Sequence, residues 1–226
     1  MKKSPQPLQM KKQAENFFLE KEGKTLRTPK GNFVAIPSEK LALAVIREQE
    51  SLNNHNGFLS KLCFTALDYI IPGHRHVIES AVYQLDHDTL LHWSELPKEL
   101  HTAQQERWLP LIVWFGQKYK IELDISYSLH LQHQSTSAKQ QFGRMLQNLD
   151  LWHLTGFLGL AQELSSSILA CAVYQQEINI SQALELSLLE EKVQIGKWGD
   201  DPFLQKKRQL IEQECLAAQQ FLKLLS

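Results

Sequence analysis

The sequence predicts an α+β fold in which a small antiparallel β-rich unit precedes a larger α-helical one, and three observations carry the prediction. Short runs rich in β-branched and aromatic residues, NFFLEK at 16–21, TLRT at 25–28 and FVAI at 33–36, stand close together near the start. Between them lie Glu-Gly-Lys and Pro-Lys-Gly-Asn, turn chemistry with glycine where φ can be required to be positive. From Pro37 onward the dominant period changes from two residues to three and four, the helical spacing.

Each element follows from local chemistry. Two or three short strands are marginal alone, so the opening meander must pack on something. Ser38 can cap a helix, Glu39 suits its positive end, and Leu41, Val45 and Leu52 mark one face. The NNHNG stretch at 53–57 reads as a loop. FLSKLCFTALDYII places Leu59, Leu62, Cys63, Ala66, Leu67 and Ile70 at helical spacing, with Pro72-Gly73 expected to end the helix. Trp108, Leu111, Ile112, Phe115 and Tyr119 define an amphipathic helix. Ser137 is the expected cap of a helix carrying Phe142, Met145, Leu146 and Leu149. A long apolar helix is expected from Leu151 to Tyr174, Asn179 and Ser181 offer caps to the next, and the last begins near Phe203. The organisation expected is a frayed start over 1–15, a β-rich domain with a helix over 16–58 and an α-helical domain over 59–226.

Composition removes several function classes. Lys+Arg total 24 and Asp+Glu 25, a formal charge of -1, so no global field draws the chain to nucleic acid or an anionic membrane. The Leu151 to Tyr174 stretch contains His153, Gln162, Glu163 and three consecutive serines, which argues for a buried helix and against a membrane span. MKKSPQPLQMKK has no apolar run behind it and is too short and too poor in Arg and Ser for a transit peptide. Cys63, Cys171 and Cys215 are odd in number, widely spaced and set in apolar helical patterns, as reduced, buried thiols are.

Catalytic signatures are equally scarce. GxGxxG, GxxxxGK[ST], HExxH and GxSxG do not occur. His74 and His76 around Arg75 read as helix-end residues. Asp86, His87 and Asp88 could ligate a hard cation, although a turn or helix-entry role is simpler. His130 and His133 fall in SYSLHLQHQS, which alternates like a strand and would split the pair between two faces. Asp68, Asp86, Glu190, Glu191, Asp200 and Asp201 lack a nucleophile or base fixed by spacing and read as capping or ion-pair groups. Lys206, Lys207 and Arg208 read as a solvated face. No cofactor and no metal site is expected.

The segment EEKVQIGKWGDDP at 190–202 is harder to place. A helix continuing from Gln182 past Glu191 would align Ser187, Glu191, Gln194 and Trp198 within roughly 60° of one another. Leu184, Leu188 and Ile195 would flank them, so the stripe borders an apolar surface. Spacing by itself favours a packed Trp198, and the other reading is a partner-binding surface, for which tryptophan with a polar rim is typical.

Six blocks taken together are informative: GKTLRTPKGNFVAIPSEKLALAVIREQE, LCFTALDYI, YQLDHDTLLHW, QERWLPLIVWF, LWHLTGFLGLAQELSSSILACAV and LLEEKVQIGKWGDD. In these residues and their order, over about 16–225, the chain resembles the Atp12 family, assembly chaperones of the F1 part of ATP synthase. The resemblance implies a small β-rich domain followed by a helical one, and a chaperone that is not an enzyme. It also implies the free F1 α subunit as partner, bound without ATP until the β subunit replaces the chaperone. Within the block it draws attention to Glu190, Glu191, Gln194, Trp198, Gly199, Asp200 and Asp201 as partner-binding residues. Pro202 directly after Asp201 departs from the family pattern, as does Leu109 where an acidic residue is common, so no role is carried to Leu109. A monomer when free, with no nucleic acid and no membrane insertion, is expected in a bacterial cytoplasm, or in the mitochondrial matrix if the source is eukaryotic. The alternatives left open are a helical adaptor for another client and a metal-dependent hydrolase built on Asp86, His87 and Asp88.

Overall fold

The computed structural model describes residues 7–52, 57–127, 133–198 and 201–226, those at 52 and 194–198 by backbone only. The β-rich unit is built around β2 (Asn16–Lys21), which pairs antiparallel with β1 (Gln9–Gln13) on one edge. On its other edge it meets β3 (Lys24–Thr25) and β4 (Ala35–Ile36). Glu22 and Gly23 form the β2–β3 turn with φ of 53° and 74°; two consecutive positive values define the tight hairpin turn that matches strand twist. The pleat sends Phe17 and Leu19 inward.

Strand β1 falls inside the stretch expected to fray. Its sequence QMKKQ is almost wholly exposed, so it carries no apolar alternation to betray it. Backbone pairing with β2 and a bond from the Leu8 N–H to Glu50 Oε1 (3.2 Å) order it instead. Lysines on an exposed edge also discourage pairing with another chain.

Helix α1 (Glu39–Leu52) lies across the sheet, and the Ser38 hydroxyl accepts from the Leu41 N–H (3.3 Å) as its cap. Leu41, Ala42, Val45 and Ile46 join Phe17, Leu19, Val34 and Ile36 in a core that also takes in Leu59 and Cys63 of α2 (Phe58–Thr65) and Phe221. Pro72-Gly73 does not stop the chain. Helix α2 passes through a π-helical turn (Ala66–Ile70) into α3 (Ile71–Gln84), which bends at Gly73. Proline is tolerated in the first turn of a helix, and here it sits just where α3 begins.

Two 3-10 turns, Leu85–His87 and Thr89–Leu91, lead to α4 (Lys98–Arg107) and α5 (Leu109–Tyr119), with Trp108 at their junction. Helix α6 (Thr136–Gln147) is capped by Ser135, two residues before the expected Ser137. The long apolar helix is two: α7 (Leu151–Glu163) and α8 (Ser167–Tyr174). Ser165 adopts φ 49° and Ser166 caps the second, so the serine run is a break. Asn179 and Gln182 form a capping box for α9 (Ile180–Ser187). Leu188 then interrupts the helix before α10 (Leu189–Trp198), and α11 (Pro202–Leu224) closes the chain.

Trp108, Phe115, Phe142 and Phe157 fill the helical core, and all three cysteines are free and buried. Helix α11 packs along α7, whose Gly156 permits the approach: a Cβ there would lie 2.6 Å from Leu222. The end of α11 fastens the two units together. Phe221 enters the β-side core, the Ser38 hydroxyl donates to the Leu224 carbonyl, and Lys40 Nζ donates to the Ser226 carbonyl (2.9 Å). Among the described residues, no helix is long and apolar enough to cross a membrane.

Candidate partner-binding surface

The distinctive block forms α10 and the start of α11. Its entry point is fixed by a buried tryptophan: Trp108 Nε1 donates to the Leu186 carbonyl (3.0 Å) at the end of α9, holding α9 against the α4–α5 junction. Leu188 breaks the helix directly after, so Ser187 and Glu191 do not belong to one continuous helix and the expected stripe does not start at Ser187.

Glu190 faces inward. Its Oε1 accepts from Gln104 Nε2 (2.9 Å), and the fully buried Gln104 also accepts from the Ser94 N–H through Oε1 (3.1 Å). Burial pushes the Glu190 carboxyl above its ordinary range, against the opposing influence of His92 and of the Gln104 bond. Glu191 turns to α11, where Arg208 Nη1 donates to its Oε1 (2.5 Å). Asp201 caps α11, accepting from the Phe203 N–H (2.8 Å), and Pro202 takes the first helical position. Gln194 and Trp198 lie in α10 with their side chains outside the described residues, as Gly199 and Asp200 are altogether.

Glu185, Lys192 and Phe203, which sequence reasoning did not single out, lie beside these residues. Glu185 on α9 pairs with Arg107 (3.1 Å) and Lys192 (4.0 Å). A shallow cavity of about 430 Å³ between α9, α10 and α11 is lined by Leu184, Leu188, Lys192, Gln205, Arg208 and Glu212 among others. Beside the Asp201 cap, Phe203 is 73% exposed, and Leu210 and Leu216 on α11 are also exposed. Phe203 follows Asp-Pro and stands seven residues before Leu210, two apolar residues on one exposed face of α11, which is the signal in the sequence that could have found it. Exposed apolar side chains with a polar rim are the composition seen at protein interfaces.

The alternative metal chemistry does not assemble. Asp86 accepts from His133 Nδ1 (2.7 Å), Lys139 Nζ (2.6 Å) and the Gln134 N–H (2.8 Å). Asp88 accepts from the Leu90 and Ile168 N–H groups (both 3.1 Å), and burial pushes its carboxyl up. His76 and Arg75 lie within α3 and meet Glu79, so they are not helix-end groups. His130 lies outside the described residues. Among the described residues, no three His, Cys, Asp or Glu side chains converge as a metal-ligand set.

Comparison with known proteins defines the class. The structure superposes on Atp12 from Paracoccus denitrificans with a TM-score of 0.88 at 23% identity, covering 99% of this chain and 97% of that one. The Atu1473 protein from Agrobacterium tumefaciens gives 0.89 at 23% identity, with 97% and 84% covered. These likenesses establish the fold: a small antiparallel sheet leading into a mostly helical body. In sequence, the model of the ATP12 chaperone proteins matches residues 6–116. The mitochondrial protein atp12 of Schizosaccharomyces pombe is 26% identical over 200 residues, 80% of this chain and 68% of that protein. The chain is thus similar to the Atp12 chaperone proteins, matching their family model over residues 6–116 and their fold over almost its whole length.

Proposed function

We propose that this protein is an ATP-independent assembly chaperone that binds the free α subunit of F1 ATP synthase and covers its aggregation-prone surface until the β subunit takes over. An unassembled subunit exposes apolar and edge surface meant for its neighbour, and such patches aggregate. A protein that covers the patch reversibly lowers the concentration of sticky surface by mass action, with no need of nucleotide hydrolysis. The observation that carries the reading is the α9–α11 surface, where the family's distinctive block sits beside the exposed Phe203 and a polar-rimmed cavity. Within it, Glu190, Glu191 and Asp201 position the surface through Gln104, Arg208 and the α11 N-terminus. Trp198, Gln194, Gly199 and Asp200 then contribute contact. The free protein is a monomer and works where F1 is assembled, in the bacterial cytoplasm or, in a eukaryotic source, the mitochondrial matrix.

Co-purification tests this. The protein should be recovered with free α subunit and not with assembled F1, and Trp198→Ala or Phe203→Ser should weaken the association while the variants stay folded. Recovery only with assembled F1, or with neither, rules the proposal out. Recovery with a different client selects the helical-adaptor reading.

A further inference from the structure

A second surface lies on the opposite unit of the fold, outside the block just described. The loop between β3 and β4 is held by one buried carboxylate. Asp68, in the π-helical turn, accepts from the Thr28 hydroxyl (2.5 Å), Asn32 Nδ2 (2.8 Å) and the Lys30 N–H (3.2 Å). Burial pushes the Asp68 carboxyl up, but these bonds and the Lys30 charge outweigh it and hold it below its ordinary value. Asn32 also donates to the Leu67 carbonyl (3.4 Å), so loop and π turn are clasped together. A π turn inside a helix commonly accompanies a functional site.

What the clasp presents is unusual for solvent. Phe33 is 49% exposed and Tyr69 56%, on either side of the clasped loop. Each ring is covered by a cation instead of by core: Arg27 Cζ lies 4.0 Å from the Phe33 centroid, and Lys30 Nζ 3.7 Å from that of Tyr69. Among the described residues neither cation is in a salt bridge; Arg27 donates to the Gly31 carbonyl and Lys30 Nζ to the Asp68 carbonyl, while the Asp68 carboxylate is already committed to three donors. The charge is regional. Residues 1–36 carry eight Lys and Arg against three Glu, while the remainder carries 16 basic and 22 acidic residues.

We propose that Arg27, Lys30, Phe33 and Tyr69 form a docking surface for an acidic protein segment, one that sets carboxylates beside an apolar side chain. Charge complementarity selects the occupant: two cations held over aromatic faces can take carboxylates while giving up only neutral carbonyl contacts, Arg27 Nη1 to Gly31 (2.5 Å) and Lys30 Nζ to Asp68 (3.5 Å). The rings supply the apolar contact, with arginine and tyrosine among the residues that anchor protein interfaces. The Asp68 clasp fixes the loop beforehand, so little ordering entropy is lost on binding. The inference rests on the proposed chaperone function, since the segment belongs to the client, and it gives the β-rich unit a share in holding that client.

The test measures affinity for purified F1 α subunit at two salt concentrations, using the full-length protein. Arg27→Gln with Lys30→Gln, which leaves the Lys30 backbone bond to Asp68 in place, should weaken binding by about tenfold and flatten its salt dependence. Tyr69→Ser should weaken it comparably, and Tyr69→Phe should restore wild-type affinity because the ring makes the contact. Melting temperatures of all variants should match the wild type. Unchanged α-subunit affinity in the charge and Tyr69→Ser variants overturns this surface and leaves the chaperone function standing. Failure of the wild type to bind α overturns both. Binding to phosphatidylserine vesicles that the same substitutions abolish, with α binding intact, overturns it in favour of a lipid surface.

Discussion

Gln104 Nε2 donates to Glu190 Oε1 across 2.9 Å, joining α4 to the first turn of α10. The buried amide spends its other end on the Ser94 N–H, so one side chain satisfies two otherwise unpaired groups. Glu190 is thereby committed within the fold.

Gln104→Ala leaves the Ser94 N–H and the Glu190 carboxylate without their partner in a partly buried setting. Unfolding in urea should show a loss of about 1–3 kcal/mol. Client affinity should fall with it, because α10 loses its tether.

Glu163 on α7 faces Glu214 on α11, and burial together with the proton shared between the two carboxyls pushes Glu163 up to about 7. A folded value above the ordinary 4.5 means that this group favours the folded state in acid, and that the contribution is lost as pH rises through about 7. Glu214→Gln removes the like-charge contact. Solvent screening at a half-buried site limits the gain to about 1 kcal/mol, so Tm at pH 8 should rise by roughly 2–4 °C and the difference should vanish at pH 5.

Asp86 behaves in the opposite sense. Burial pushes its carboxyl up, but the bonds from His133, Lys139 and the Gln134 N–H prevail and lower it below its ordinary 3.8. Its stabilisation is therefore present above that value and lost as pH falls through the folded one. Asp86→Ala, which strands Lys139 and a buried N–H, should cost about 3 kcal/mol at pH 7. An acid titration followed by circular dichroism should show a shallower loss of stability below pH 4 than in the wild type.

Much of the fold was legible in the chain because it is local. Strand β2 matches NFFLEK residue for residue, Asn179 caps α9, and the Trp108 to Tyr119 period gives α5. What escaped was decided by distant partners. Strand β1 has too little apolar content to announce itself and is ordered by pairing with β2. Pro72-Gly73 reads as a stop, yet the helix continues through a π turn whose Asp68 is anchored by a loop some forty residues earlier in the chain. The Leu151 to Tyr174 run reads as one helix because its apolar content hides the positive φ at Ser165.

The candidate surface divides in the same way. Sequence by itself determined the α+β order of a small β-rich unit before a helical one, the caps at Ser38 and Asn179, the burial of the three thiols and, through resemblance, the likeness to Atp12. Tertiary structure alone decided that helix α9 ends before Glu190, that Glu190 and Glu191 turn toward Gln104 and Arg208, and that Phe203 stands in solvent beside them. The reason is physical: period and capping chemistry act within a few residues, whereas the partner of a half-buried charge is chosen by which helices the whole core brings together.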